Sequence, residues 1–398
     1  MQRKKNMPRF GHRAIALLSA TVFAGPASAL VINLNDIGGV TGTFAEVGFA
    51  AAAHYWESVI TTPVTVNVNV GYSTLGAGIL GSTHAELYIE KISDVYTQLT
   101  AKAASTLDGQ AVTGLAPLTN GALSVITPGY QTAPNLGIDN TKRVYDSDGS
   151  FNNANVAVTG ANMRALGLAI APDAVDATIK FSDTFNFDFN PSNGISAGYY
   201  DFVGVAIHEL GHSLGFLSGA DEYDFYGCPS GPECANFANY KVNDDYWGYV
   251  ADLYRYSGDP TGVGPGGPQL DWAANSPAYF SLDHGLTHFQ NGVFSTGNYN
   301  GDGNQASHWK EPGVACGTFL GVMNPYICNG STIDVTALDL SFFDAIGWNL
   351  NVDTLRNPGY VFDTRQIDTG APEPATWLLL AAGLALLGAR PRRKAARD

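Results

Sequence analysis

The chain has 398 residues, a hydrophobic fraction of 45% and 46 glycines, which suits a globular body rich in turns, as one large domain or two subdomains. Its net charge is -15. Ten of the 21 lysines and arginines sit in residues 1–29 and 390–398, so residues 30–371 carry 11 basic against 34 acidic side chains, which argues against a nucleic-acid binder.

The N-terminus reads as an export signal over residues 1–29. Arg3, Lys4, Lys5, Arg9 and Arg13 precede an apolar run at 14–24, and Ala27-Ser28-Ala29 is a small-residue cleavage site. The run is too short to span a bilayer, so the mature chain is expected to begin near Leu30. Residues 43–60 have the apolar spacing of a helix, and 63–72 (PVTVNVNVGY) alternate like a half-buried strand. A second helix is expected at 84–104, strands within 113–130, and a loop running into a strand over 145–158. Residues 161–167 suit a short helix. Residues 177–183 (ATIKFSD) alternate again, as an edge strand suited to receive an extended substrate would. Residues 185–194 read as a turn.

The segment 199–216, YYDFVGVAIHELGHSLGF, is the centre of the chain. It is an almost wholly apolar helix interrupted by His208, Glu209 and His212. Positions four apart share a helix face, so His208 and His212 can aim two imidazoles at one metal ion. Glu209 stands beside them as the base for a water activated by that ion. Such groups are costly in an apolar helix without a partner, and a zinc ion supplies one. Gly215 suits the helix end.

Past the helix, 221–239 reads as a loop, 240–256 as a helix, 257–267 as a flexible loop, and 333–348 as a last amphipathic helix. All four cysteines lie here: Cys228, Cys234, Cys316 and Cys328. Export favours disulfides. Three pairings exist, and the local ones, Cys228–Cys234 and Cys316–Cys328, are preferred. No cysteine lies between residues 30 and 227, so none is available there to cap the zinc as a latency switch. A catalytic zinc takes three protein ligands and keeps one open position. His284, His288, His308 and Asp252 are the downstream choices for the third.

Met323, in Gly321-Val322-Met323-Asn324-Pro325, follows His308-Trp309 by a short interval. This order resembles the metzincin zinc peptidases, distantly their leishmanolysin-like branch. There, a long insertion separates the helix from a third His, and a Met-turn underlies the metal. The chain is more closely similar to a bacterial group of exported metallopeptidases with a PEP-CTERM tail. The similarity rests on HELGHSLGF, Phe294-Ser295-Thr296-Gly297, Gly301-Asp302-Gly303, residues 306–310 and the Met-turn. It implies an α+β, zincin-like fold with a mixed twisted sheet, an active-site helix and an irregular C-terminal subdomain. The peptidase domain would span 30–365, divided near 217. The resemblance makes His308 the third ligand, Met323 the Met-turn residue and Tyr326 a possible oxyanion stabiliser. It implies hydrolysis of polypeptide substrates.

Two acidic turns, Asp146-Ser147-Asp148-Gly149 and 298–303 (NYNGDG), are calcium candidates or plain solvated turns; neither has the full spacing of an EF-hand loop. Residues 366–398 form a tail. Pro372-Glu373-Pro374 is followed by an apolar run at 377–389 and by Arg390, Arg392, Arg393, Lys394 and Arg397. This resembles a PEP-CTERM sorting signal and implies processing by an exosortase-type membrane protease in a Gram-negative bacterium. A plain C-terminal anchor is the alternative. The expected location is the periplasm, cell surface or extracellular matrix, with membrane contact only through the signal and tail. Two other functions stay open. One is a non-catalytic surface or matrix protein braced by zinc; the other is a zinc hydrolase acting on a non-peptide amide.

Overall fold

The computed structural model describes residues 29–227, 237–311, 313, 316 and 319–371. The expected signal up to residue 28, the tail from residue 372, and Cys228 and Cys234 lie outside the described residues. The chain opens with strand β1 (Val31–Gly38) and helix α1 (Phe44–Val59). Strands β2 (Thr65–Ser73), β3 (Gly81–Ala85) and β4 (Leu87–Lys91) follow, then helices α2 (Ile92–Lys102) and α3 (Thr106–Thr113). A hairpin of β5 (Val125–Thr132) and β6 (Leu136–Asp146) leads through α4 (Phe151–Ala154) to β7 (Asn155–Thr159). After α5 (Gly160–Leu166) and β8 (Ala177–Ser182) comes α6 (Phe202–Ser213), which carries the H-E-x-x-H run. Helices α7 (Ala220–Tyr226), α8 (Val242–Asp245) and α9 (Ala337–Ala345) complete the described helical framework.

The fold class is α+β. Among the described residues, the main sheet has four strands in the order β1-β2-β8-β3. The first three are parallel, and β3 runs antiparallel to β8 at one edge. Alternation explains the sheet. Val66, Val68 and Val70 of β2 are buried, while Asn67 and Asn69, on the opposite face, are half-buried. The outer asparagines pair across strands, Asn33 Nδ2 to Asn67 Oδ1 at 3.0 Å and Asn35 Nδ2 to Asn69 Oδ1 at 2.8 Å. β1 follows the same alternation over V-I-N-L-N and was missed from the sequence, although the signal is there.

Helix α6 is buried along almost its whole length because it packs between α1 and the sheet. Phe202 sits at its first turn among Phe49, Phe181, Phe187 and Phe189, with ring centroids 4.4 to 5.5 Å away. Among the described residues, no helix is long and apolar enough to cross a membrane.

Several sequence expectations are corrected. The segment 84–104 is not one helix: its first part forms β3 and β4, where Ala85 turns inward and His84 and Glu86 outward, and only Ile92–Lys102 is helical. Residues 113–130 end α3 and then contain one long strand, Val125–Thr132. The expected helix at 240–256 stops at Asp245, where Tyr246 turns extended at φ -134°. It divides into α8, a 3-10 turn at Val250–Tyr254 and a strand at Arg255–Ser257. Part of the expected 221–239 loop is α7. The last helix begins at Ala337, because Asp334–Thr336 pairs with Val361–Asp363. Residues 177–183 are a strand, but β8 lies inside the sheet; the edge beside α6 is β3.

Replacing Phe202 with Ala should lower unfolding free energy by about 3–5 kcal/mol, the usual cost of emptying a buried aromatic site. Urea denaturation followed by tryptophan fluorescence measures it. A loss below about 1 kcal/mol would mean that the aromatic cluster does not anchor α6.

Candidate metal centre

Three groups fix α6 before any ligand is considered. The Asp201 carboxylate caps its start, accepting the Gly204 N–H at 3.0 Å. The Trp56 indole N–H, from α1, donates to the Ile207 carbonyl at 3.0 Å, and the Trp348 indole N–H donates to the Leu214 carbonyl at 2.8 Å. Gly215, at φ +115°, lets the chain leave the helix as its sequence suggested.

His208 and His212 then face one way, one turn apart, and the structure brings His308 to them across 96 residues. The Nε2 atoms of His212 and His208 are 3.0 Å apart, those of His212 and His308 3.2 Å, and those of His308 and His208 3.3 Å. Each Nδ1 lies on a backbone carbonyl: His208 on Val322 at 2.7 Å, His212 on Phe216 at 2.8 Å, His308 on Gln305 at 3.3 Å. A carbonyl only accepts, so each Nδ1 carries the proton and each Nε2 is left with a lone pair. Burial keeps the rings neutral. It moves His208 down to about 4 and, with the His208 charge as second cause, His212 down to about 3. Burial, then the charges of His212 and His208, hold His308 well below its ordinary value.

Three lone pairs thus converge with no donor hydrogen between them. A metal cation satisfies that arrangement. Zinc bound at about 2.0–2.1 Å in tetrahedral geometry spaces its nitrogen ligands by about 3.3 Å. The three nitrogens, 3.0 to 3.3 Å apart, match three corners of such a site.

The His308 segment is held from several sides. The Ser295 N–H donates to the His308 carbonyl at 2.9 Å, and the Trp309 N–H donates to the Met323 carbonyl at 2.9 Å. Asp221 accepts the Ala306 and Ser307 N–H groups at 2.5 and 2.9 Å. Met323 is fully buried beneath α6, so close that a Cβ at Gly211 would stand 2.5 Å from its sulfur.

Glu209 is 5% exposed, and burial pushes its carboxyl up to about 7. The opposing influence is the Thr83 hydroxyl on β3, whose Oγ1 lies 2.7 Å from Glu209 Oε2. Gly81 lies closer still: a Cβ there would meet Glu209 Oε1 at 2.5 Å, so any side chain at that position would push the carboxylate out of its present place. Sequence reasoning missed Thr83 and Gly81. They act on Glu209 from more than a hundred residues away, and no expectation covered residues 73–83.

The other candidates for third ligand are occupied elsewhere. Asp252 is buried and accepts the Ser218 hydroxyl at 2.6 Å and the Gly219 and Tyr249 N–H groups at 2.7 and 2.8 Å. His288 stacks on Tyr279 with centroids 3.6 Å apart. His284 sits in a turn at φ +59°. Tyr326 is 39% exposed and packs edge-on against Phe319. A hydrogen bond to Glu311 pushes its hydroxyl up to about 12. Cys316 and Cys328 are joined, with Cα atoms 5.5 Å apart.

In the two acidic turns, the carboxylates already accept from protein donors. Asp146 takes the Asn152 amide at 2.9 Å, and Asp148 takes the Ser150 N–H and the Asn243 amide at 2.8 Å each. In the second turn, Tyr299 and Asn300 direct their N–H groups to Asp224 at 2.8 Å, and Asp302 faces Lys310 at 3.7 Å. Among the described residues, the one group of three or more His, Cys, Asp or Glu side chains placed to hold a metal is His208, His212 and His308.

Comparison with protein-family models, with curated proteins and with solved structures gives no match for this chain.

Zinc titrated into the metal-free protein should bind at about one equivalent. At a free concentration 100-fold above its dissociation constant it should stabilise the fold by about 2.7 kcal/mol. Differential scanning calorimetry would show this as a raised unfolding temperature, and His308→Ala should abolish most of the rise. A wild-type protein whose melting ignores zinc would remove the centre.

Proposed function

We propose that the chain is an exported, metzincin-like zinc endopeptidase. The observation that supports this best is the convergence of three neutral imidazoles beside a buried carboxylate, Glu209, that is not one of them. His208, His212 and His308 would hold a zinc ion, which would supply the Lewis acidity that hydrolysis of an amide needs. A site that only braced the fold would have no use for a base at this point.

The protein's own groups would divide the remaining work. Glu209, lifted by burial towards neutrality, is matched to accept a proton from the attacking water and pass it to the leaving amine. The Thr83 hydroxyl holds that carboxylate against the edge strand. β3 offers a template for the substrate. The Ser182 N–H donates to the Leu80 carbonyl and the Glu86 N–H to the Asp176 carbonyl, both at 2.9 Å. In an antiparallel ladder this turns the backbone of Ser82 and His84 towards β8 and that of Gly81, Thr83 and Ala85 towards the open edge. An extended peptide could pair there and bring a scissile bond beside Glu209. The substrate-binding role first given to residues 177–183 therefore passes to 81–85. No role is assigned to Tyr326, whose hydroxyl is engaged by Glu311. Export and tail processing remain part of the proposal on the strength of the terminal segments alone.

Glu209→Gln keeps size and burial but removes the base. It should retain zinc and lose hydrolysis of a broad peptide library by about 100-fold or more, as expected when a general base is removed. Mass-spectrometric product analysis with and without a chelator measures it. Full activity in Glu209→Gln would contradict the mechanism. Hydrolysis by the wild type that persists without metal would contradict the class of enzyme.

A further inference from the structure

One buried carboxylate with no part in the chemistry above touches the supports of two of the three imidazoles. Asp339 is wholly buried in the first turn of α9. Its Oδ1 accepts the Trp309 indole N–H at 2.8 Å and the Met323 N–H at 3.3 Å. Its Oδ2 accepts the Val322 N–H at 3.0 Å, the Thr336 N–H at 2.8 Å and the Thr336 hydroxyl at 3.0 Å. A Cβ at Gly321 would stand 2.0 Å from Oδ2, so the turn before Met323 is closed directly over this group.

Helix capping accounts for only part of this. Thr336 and Asp339 form a capping box, in which the carboxylate accepts the Thr336 N–H and the Thr336 hydroxyl accepts the Asp339 N–H. The other three donors come from 16, 17 and 30 residues away. Each leads to the metal centre. Val322 presents the carbonyl that fixes His208 Nδ1, and Trp309 directly follows His308. Met323 accepts the Trp309 N–H and lies under α6 at Gly211.

The geometry points to Asp339 as a positioning residue for the metal site: it ties the Val322–Met323 turn to the His308–Trp309 segment and so sets the spacing between His208 and His308. This rests on the metal centre proposed above. The physical reason is pre-organisation. Ligand atoms must be held to within about 0.5 Å of their bound geometry, and the rigidity comes from the groups behind them. Without Asp339, the Val322 carbonyl and the Trp309 ring lose their common anchor. His208 and His308 can then turn independently, and the metal must bear the cost of ordering them. Loss of such supporting partners typically weakens metal affinity 10–100-fold.

The test compares zinc affinity in full-length variants, by competition with a chromophoric chelator, and the visible spectrum of the cobalt-loaded protein at saturation. Asp339→Asn keeps the shape but replaces an acceptor oxygen with a donor. Its zinc dissociation constant should rise about 10-fold or more, and its cobalt bands should shift at saturation. Asp176→Asn is the control. Asp176 is also buried, with the Arg164 guanidinium at 2.8 Å and the Asn67 N–H at 2.7 Å as partners, and contacts none of the groups behind the triad. It should lower the unfolding midpoint and leave zinc affinity and cobalt bands unchanged. Unchanged affinity and spectrum in Asp339→Asn would overturn the proposal, as would an equal loss in Asp176→Asn. If Asp339→Asn does not fold, Trp309→Phe removes a single donor and should weaken zinc about 5-fold, the value of one hydrogen bond; no change would overturn the proposal. A wild-type protein that binds no zinc is a separate result, and it removes the centre itself.

Discussion

The structure depends on three ring nitrogens forced to face one another. Each His Nδ1 is tied to a backbone carbonyl, so each Nε2 must present its lone pair to the same point, 3.0 to 3.3 Å from its neighbours. Like-signed ends brought this close in a water-poor site repel, and a cation between them reverses the sign of the interaction. The protein bears that strain through rigid supports. Two indoles grip the carbonyls of α6, and an aromatic cluster around Phe202 and another around Phe216 hold the helix against sheet and C-terminal segments.

Buried acids are the second theme. The acidity of the chain reads, from composition, as solubility or as ligands for calcium. Much of it is turned inward instead. Asp201, Asp224, Asp252, Asp271 and Asp339 are all buried, and each collects N–H or hydroxyl donors; those of Asp224, Asp252 and Asp339 include loops well separated in sequence. Irregular chain has many backbone groups that no ladder satisfies, and a carboxylate can accept several at once. Among the described residues, the segment between α7 and α9 has only short helices, 3-10 turns and strands. Its loops are pinned by such carboxylates in place of secondary structure, and the loop carrying His308 is one of them.

How much of this was legible follows from the range of each interaction. The pairing of His208 with His212 is a property of one helix, so local spacing revealed it. So were β2, β8 and α1, whose periodicities are intact in the chain. The choice of His308 over His284, His288 and Asp252 came from resemblance, because nothing local distinguishes one loop histidine from another. Thr83 and Asp339 carried no signal at all. A threonine in a short strand and an aspartate in a capping position look ordinary until the fold sets them against Glu209 and the Val322–Met323 turn. The helix expected at 240–256 stops at Asp245, and the Trp272 ring that closes on Gly248 just beyond is a contact that no window of sequence contains.

The most direct test of the centre is X-ray absorption at the zinc edge of the loaded protein, compared with His308→Ala. The account predicts four nitrogen or oxygen neighbours at about 2.0–2.1 Å, with the outer-shell scattering of three imidazoles falling to two in the variant. Sulfur neighbours at about 2.3 Å, or an imidazole count unaffected by the loss of His308, would contradict it.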